Sequence, residues 1–271
     1  MSFTNYELEN RDNIIENIKN VVTNNIEENF KNLIKDKIDI TLLGECTHGT
    51  EEFYKIRSNI TKILIRNNNY RVVCIEAEWP DINRVNSYVQ LKSDDVNAKQ
   101  SLSNINTFPN WLWNNNIFIE LIEWIKNFNK DHKDDMVYIL GLDCQQFIKS
   151  YDWIKNFLKS INHPSSKNIL DYINFLSTFK SEKEYANLVT RGPLKNLQNQ
   201  FVTRLQEALS KFQWDISEYY FTHSNKLKID PFDILGCEQS LEILVNAEEY
   251  YRKMLEEPVG SQASWNTRDQ H

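Results

Sequence analysis

Two short segments carry side chains suited to acid–base catalysis. In the first, Glu45 and His48 lie three residues apart, and Arg57 follows nine residues after the histidine; the second contains Glu76. His48 fits the role of a general base, because an unperturbed imidazole titrates near neutral pH. Glu45 or Glu76 could orient the imidazole, while Arg57 could direct a fixed positive charge at these carboxylates or at an oxyanion. The set predicts a site for general-base chemistry.

A structural interpretation stands beside the catalytic one for each of these residues. His48 could cap a helix that begins near Thr50, and Arg57 could form an ordinary surface ion pair with Glu51 or Glu52. A single acidic residue after a strand is more often a helix cap than a catalytic group. When several strands in succession are followed by acidic residues and a histidine lies close by, the catalytic and the structural interpretation become about equally well supported.

Three short apolar segments are predicted to be buried strands that position these residues. They are Asp39–Leu43, Arg71–Ile75 and Met136–Leu140. The acidic residues that follow them are Glu45, Glu76, Glu78 and Asp143. Ligands of open parallel sheets bind beyond the carboxyl ends of the strands. We therefore expect the side chains of Glu45, His48 and Glu76 to meet in one hollow at that edge.

Helical periodicity predicts the elements around the strands. The predicted helices are Asn10–Leu33, Glu51–Ile65, Pro80–Leu91, Asn115–Phe128 and Ile234–Leu255, with further helical segments across 151–256. Ser264 is predicted to cap one more helix. Strands alternating with helices imply a parallel sheet with right-handed crossovers. The predicted fold is α/β in a single domain, 1–271, with a parallel sheet core flanked by helices at about 36–150 and a largely helical part at about 151–271.

The aromatic stretch from Phe108 to Trp113 precedes one of these helices. Its large side chains could pack in the core or staple the helix. Alternatively, Trp111 and Trp113 could form an apolar wall for a bulky substrate.

Two other chemistries receive less support from the sequence. Cys46 lies close to His48, but neighbouring loop residues seldom present a thiol and an imidazole in attack geometry. A metal site formed by Glu45, His48 and Glu76 would need more ligands than the sequence offers. Cys74 lies in an apolar run and is predicted to be a buried thiol, and the scattered cysteines suit a reducing compartment.

The charge of the chain makes some partners unfavourable. The net charge is −7 and the sequence pI about 5.4, so nucleic acid and anionic lipid are poor candidates. The sequence has neither a signal peptide pattern nor a run of about 18 apolar residues. These features predict a cytoplasmic protein without membrane contact.

Six segments, in order along nearly the whole chain, resemble the erythromycin esterase-like family. They are Gly44–Glu51 with Arg57, Glu76–Asp81 leading to Val85, Asn86 and Tyr88, Phe108–Trp113, Gly141–Asp143, Tyr250–Met254, and Ser264–Asn266 with Arg268, Asp269 and His271. One such segment would be weak evidence, whereas six in order form a specific signal. The resemblance implies an α/β core with added helices that hydrolyses the lactone ester of macrolide antibiotics by attack of water.

The resemblance also implies roles for individual residues. His48 matches the general base of the family, and Glu45, Arg57 and Glu76 match residues of its polar cleft. The residues expected to bind substrate are Glu78, Asp143, Trp111, Trp113 and His271. Attack by water needs no serine nucleophile. This route does not itself require a cofactor, and the resemblance leaves the cofactor open. The expected partner is a small-molecule ester.

One departure from the family pattern concerns its last motif. Members usually continue beyond the segment ending at His271 into a strand that carries W-A-H-N-x-H, and this sequence lacks those two histidines. The comparison implies an incomplete sheet and impaired hydrolysis. Three alternatives follow: an inactive remnant or small-molecule-binding protein, a second chain that supplies the missing part, or weak residual hydrolysis. A metal-dependent hydrolase is a further alternative.

Overall fold

The computed structural model describes residues 38–105, 110–223, 229–256 and 262–271. These ranges contain two strands and eleven α-helices, joined by short 3₁₀ and π-helical turns. The elements are α1 (Glu51–Asn68), β1 (Val72–Glu78), α2 (Trp79–Val89), α3 (Ala98–Ser101), α4 (Asn116–Asp131), β2 (Tyr138–Asp143), α5 (Phe147–Ile161), α6 (Ser166–Ile173), α7 (Glu182–Ala186), α8 (Gln198–Phe212), α9 (Glu218–His223), α10 (Pro231–Glu256) and α11 (Ala263–Gln270).

The predicted α/β class is confirmed. β1 and β2 form a small parallel sheet, and helices make up most of the remaining structure. The predicted helices that become α1, α2, α4 and α10 are present within a few residues of their expected ends. The helix predicted over Asn10–Leu33 and the residues Phe108 and Pro109 lie outside the described residues. Ser264 does not cap α11, because the helix starts one residue earlier and its N-cap is Gln262.

The strand predicted over Asp39–Leu43 is wrong. No strand occurs there, and the side chains of Ile40 and Leu42 are 76% and 89% exposed. A strand needs a neighbour with which to form a hydrogen-bonded ladder, and the described sheet consists of β1 and β2 alone. The segment is instead held by Tyr70, whose hydroxyl lies 2.8 Å from Thr41 Oγ1 and donates to the carbonyl oxygen of the preceding Ile38 at 2.6 Å. An apolar run by itself therefore did not identify a strand.

β1 forms near the predicted segment but runs from Val72 to Glu78, so Glu76 and Glu78 lie within the strand and do not follow it. The strand is also not buried on both faces. Exposure alternates along the strand, with Ile75 buried while Cys74 and Glu76 are exposed. The prediction that Cys74 is a buried thiol is therefore wrong. An apolar run predicts burial on both faces only where helices cover both, and one face of this strand is left open.

Internal contacts divide the chain into two compact units. The first unit comprises Met1–Val73 and Val85–Tyr138, and the second comprises Cys74–Arg84 and Ile139–His271. That the chain is one domain, with an α/β core up to about residue 150 and a helical part after it, stays a prediction.

In the first unit, α1 packs against α4. Helix α1 ends at Asn69, which adopts the left-handed conformation (φ 58°) that asparagine tolerates better than most residues. Helix α4 begins where the Asn115 side chain accepts a hydrogen bond from the N–H of Phe118. The buried Asn129 then donates to the carbonyl oxygens of Val89 and Val137 at 2.8 and 2.9 Å, which ties α4 to the chain on either side.

In the second unit, the 26-residue helix α10 runs through the main apolar core. It packs against α5, α8 and α11, and its fully buried side chains include Leu241 and Leu244. Burial of each such side chain contributes about 1.5–3 kcal/mol. Helix α10 therefore provides the support on which α11 is placed. No helix in the described part of the chain is both long and apolar enough to cross a bilayer.

Gly141 in β2 is expected to tolerate no side chain. A Cβ atom there would lie 2.8 Å from the carbonyl carbon of Glu78 and contact the backbone oxygen of Ala77, and the backbone cannot move aside cheaply. Gly141→Ala should lower the free energy of unfolding in urea by about 2–3 kcal/mol. Gly44→Ala is the matched control, because no atom lies within 4 Å of its added methyl group. Equal stability of the two variants would contradict this packing.

Candidate active site

A single carboxylate joins the histidine and the arginine of the first unit. Glu45 Oε1 lies 2.6 Å from His48 Nδ1, and Glu45 Oε2 lies 2.6 Å from Arg57 Nη2. The Glu45 side chain is only 10% exposed, whereas that of His48 is 50% exposed. The neutral imidazole that suits this contact carries its proton on Nδ1, which leaves Nε2 as a proton acceptor. Arg57 thus pairs with Glu45, and the alternative of a surface ion pair with Glu51 or Glu52 does not describe it.

The local sequence explains why these three residues meet. Glu45 and His48 belong to the loop that leads into α1, whose N-cap is Thr50. Because Thr50 is the N-cap, His48 is not the cap of this helix. The Thr50 hydroxyl lies 2.8 Å from that of Thr47 within the same loop. Arg57 lies in the second turn of α1 and reaches back toward the loop. The helix therefore presents a cation to a carboxylate that the preceding loop supplies.

Two aromatic rings flank the guanidinium of Arg57. Its Cζ atom lies 4.8 Å from the ring centroid of Tyr54 and 5.7 Å from that of Trp113. Burial, and then the negative charge of Glu45, raise the pKa of the Tyr54 hydroxyl, so this side chain stays neutral at physiological pH. The sequence prediction missed Tyr54, because an aromatic residue on an amphipathic helix has the pattern of an ordinary core position.

Trp111 lies against the glycine that follows His48. A Cβ atom on Gly49 would be 3.2 Å from Trp111 Cζ3, and Gly49 has a φ of +85°, which glycine adopts without strain. The Trp111 side chain is 44% exposed. In this unit, an exposed apolar ring thus lies beside the histidine loop, while Trp113 lies behind Arg57.

The second unit contains a cluster of opposite charges around Arg268. Its Nε and Nη2 atoms donate to the two carboxylate oxygens of Asp143 at 2.8 and 2.7 Å, and Nη2 also donates to Glu76 Oε1 at 2.7 Å. Asp143 ends β2 and Glu76 lies within β1, so α11 supplies the cation that both strands share. The two carboxylates raise the pKa of Arg268. Sequence reasoning did not assign Arg268 to the site, although it belongs to the family-like segment near the end of the sequence.

Glu78, the last residue of β1, binds the loop that leads into α5, whose N-cap is Gln146. Its Oε2 atom accepts from the backbone N–H groups of Gln145 and Gln146 at 3.1 and 3.0 Å. Burial, and then the charge of Asp143, raise the pKa of Glu78 to about 8, although the two N–H groups act in the opposite direction. Glu78 therefore fits the structural interpretation, in which an acidic side chain at the end of a strand binds backbone N–H groups near the start of a helix.

His271 is engaged at both ring nitrogens. Nδ1 lies 2.8 Å from Asn246 Nδ2 and Nε2 lies 3.2 Å from Gln239 Nε2, both on α10. Burial lowers the pKa of this imidazole, which favours its neutral form. These contacts tie the end of α11 to α10.

The structure thus brings some of the predicted site residues together. Glu45, His48 and Arg57 form one cluster, and Glu76 and Asp143 form another with Arg268. That Glu76 joins Glu45 and His48 in one hollow stays a prediction. Across the described ranges, no group of three or more His, Cys, Asp or Glu side chains is arranged to hold a metal ion.

The raised pKa of Glu78 predicts an unusual dependence of stability on pH. Its ordinary pKa is 4.5, so between about pH 4.5 and 8 the folded chain keeps a proton that the unfolded chain loses. The free energy of unfolding therefore falls with rising pH, by up to about 1.4 kcal/mol per pH unit from this group. Glu78→Gln keeps an oxygen acceptor without this titration. We expect the variant to match the parent near pH 5 and to exceed its stability by about 4 kcal/mol near pH 8.5.

Urea unfolding at both pH values measures this effect. Glu207→Gln, at an exposed position on α8, serves as the control and should change neither value. Parallel pH profiles for the parent and Glu78→Gln would show that Glu78 is ionised in the folded chain.

Removal of the Arg268 guanidinium is expected to weaken the second unit. Arg268→Met leaves Asp143, whose side chain is 11% exposed, without its cation, at a cost of about 2–3 kcal/mol in the free energy of unfolding. Arg268→Lys should recover only part of this loss, because an ammonium group lacks the planar pair of donors. Lys167→Met removes an exposed ion pair with Asp171 and should cost less than about 0.5 kcal/mol. Similar losses in the Arg268→Met and Lys167→Met variants would contradict a stabilising cluster.

Three solved structures share the fold of this chain. A crystal structure of a Bacillus cereus protein has a TM-score of 0.67 and 19% identity, over 90% of this chain and 55% of that one. A succinoglycan biosynthesis protein has a TM-score of 0.62 and 17% identity, over 84% and 50%. A histidine-to-asparagine mutant of the erythromycin esterase EreC, in its open conformation, has a TM-score of 0.57 and 13% identity, over 84% and 54%. The chain spans about half the length of each of these structures.

The sequence profile of the erythromycin esterase family matches residues 65–271. The match includes both strands of the charged cluster around Arg268 and begins after the loop that holds Glu45 and His48. It covers well over half of the sequence. The chain belongs to the erythromycin esterase family.

Proposed function

We propose that this chain acts on esters as a hydrolase, with His48 as the general base that activates a water molecule. The observation that carries the proposal is the Glu45 carboxylate, which contacts His48 Nδ1 with one oxygen and Arg57 Nη2 with the other. A buried carboxylate on Nδ1 selects the tautomer in which Nε2 accepts a proton. The half-exposed imidazole leaves that nitrogen accessible to water.

The proposed reaction proceeds without a covalent enzyme intermediate. His48 Nε2 takes a proton from water as the water oxygen bonds to the ester carbonyl carbon, which gives a tetrahedral intermediate. The carbon–oxygen bond to the alcohol then breaks, and the imidazolium returns its proton to the departing alcohol oxygen. The products are a carboxylic acid and an alcohol. Glu45 stabilises the transient positive charge on His48, because its carboxylate lies in direct contact with the ring.

Arg57 acts in this proposal by fixing Glu45. Its guanidinium lies 2.6 Å from the carboxylate and holds that group in place. A direct role for Glu76 in the reaction rests on the family motif. Contacts of substrate with Glu78, Asp143 and His271 stay predictions. In the structure these side chains contact other groups of the protein: a backbone N–H, the Arg268 guanidinium and a side-chain amide, respectively.

The proposed substrate is a macrocyclic lactone with a large apolar surface. Membership of the erythromycin esterase family and the exposed ring of Trp111 beside the histidine loop support this class. An aromatic ring provides a broad apolar surface to a bulky ligand at a small cost in conformational entropy. Trp113 is better placed to support Arg57 than to contact substrate.

His48→Gln tests the proposal directly. The chain is incubated with erythromycin and, separately, with a simple activated ester, and the ring-opened or cleaved product is quantified by mass spectrometry. We expect the variant to lose about 10²–10⁴-fold of the rate, which is the usual contribution of a general base. His132→Gln is the matched control, because His132 is an exposed histidine of the same unit that stacks on Phe128.

The remaining outcomes identify the alternatives. Equal rates in the parent and His48→Gln would remove His48 from catalysis. A macrolide that raises the melting temperature of the chain without being hydrolysed would identify a binding protein. Activity lost on exhaustive chelation and restored by a divalent cation would identify a metal-dependent hydrolase.

A further inference from the structure

We propose that Tyr54 and Trp113 are positioning residues, whose rings hold the guanidinium of Arg57 against Glu45 and thereby fix the tautomer of His48. We call these two side chains the aromatic brace. The inference rests on the proposed function for its effect on rate, but the effect on His48 can be measured separately. Neither ring needs to contact substrate for this role.

The geometry of the brace restricts Arg57 from two directions. The Tyr54 and Trp113 rings meet edge to face, with centroids 6.2 Å apart and planes at 85°. The guanidinium carbon lies within 6 Å of both centroids, which is the range of a cation–π contact. Rings at right angles leave a planar cation few orientations.

Each ring is itself fixed by its surroundings. Tyr54 is buried and lies one helical turn before Arg57 on α1, so the two side chains share one face of the helix. Trp113 packs against Phe118 at the start of α4, with ring centroids 5.0 Å apart. The brace therefore connects the guanidinium to both α1 and α4.

The ion pair between Glu45 and Arg57 depends on the aromatic brace, because the two rings help to keep water away from it. Glu45 Oε2 and Arg57 Nη2 are both shielded from water, so neither can replace its partner by solvent without a local rearrangement. If the rings are removed, water gains access and the long arginine side chain regains its rotamers. Glu45 is then free to rotate, and its other oxygen no longer holds Nδ1 of His48 in one arrangement. The neutral imidazole would then distribute its proton between both nitrogens.

Substitutions that remove one ring at a time test the brace. Tyr54→Leu and Trp113→Leu should convert His48 from a single Nδ1-protonated tautomer to a mixture, observed by ¹⁵N NMR of histidine-labelled protein. Both should lower kcat by about tenfold to a hundredfold with little change in KM, because the imidazole is misplaced while the substrate surface is retained. Tyr54→Phe keeps the ring and should restore the parent tautomer and rate. Trp113→Phe provides a smaller change if Trp113→Leu does not fold.

Trp124→Leu is the matched control. Trp124 lies on α4 in the same unit and also packs under an arginine, with Arg66 Cζ 4.7 Å from its ring centroid. That arginine is not the partner of Glu45, so loss of the ring should lower stability while the His48 tautomer and kcat stay at the parent values. A similar tautomer shift in this control would overturn the inference by showing a general loss of packing.

The tautomer measurement separates this inference from the proposed function. A single unchanged tautomer in folded Tyr54→Leu and Trp113→Leu would overturn the brace, whatever the rate of hydrolysis. A mixed tautomer in these variants, with a parent chain that hydrolyses no ester, would support the brace and contradict the proposed function.

Discussion

The candidate site depends on one carboxylate, that of Glu45, which contacts a base with one oxygen and a cation with the other. Glu45 gives one oxygen to His48 and the other to Arg57, both at 2.6 Å. Without Arg57, the second oxygen of a carboxylate that is only 10% exposed would lose its charged partner, and the side chain would be free to leave the imidazole. Without Glu45, the half-exposed imidazole would have no fixed tautomer. Helix α1 matters chiefly because it brings the cation to this point and carries one of the rings that hold it.

Acidic residues associated with β1 and β2 have three different environments, although the sequence makes them look alike. Asp143 is held by the two donors of Arg268, Glu76 shares that cation while remaining half exposed, and Glu78 is buried on backbone N–H groups with a pKa raised to about 8. Burial and partner decide the charge of each group, whereas residue type and spacing do not. A pattern of acids at strand ends therefore marks a place of interest without assigning its chemistry.

The sequence predicted those features that depend on neighbours along the chain. Helix positions followed from periodicity, and Glu45 was one of the two carboxylates expected to orient His48. Features that depend on distant segments were missed or mistaken. The segment Asp39–Leu43 has strand-like residues but no described ladder partner. The apolar residues of β1 likewise do not indicate whether other segments cover one face of the strand or both. Arg57 was identified as a cation, but its partner and its aromatic neighbours became clear only from three-dimensional packing.

Arg268 has a consequence for the order in which the second unit is built. It is separated by 192 residues from Glu76 and by 125 from Asp143, so its contacts are among the most distant along the chain. During synthesis, both strands leave the ribosome long before α11 does. Until the arginine arrives, the nascent sheet holds neighbouring acids without a neutralising charge, and their repulsion opposes early closure. The charged cluster is thus completed only after the long helical region between its members has been synthesised.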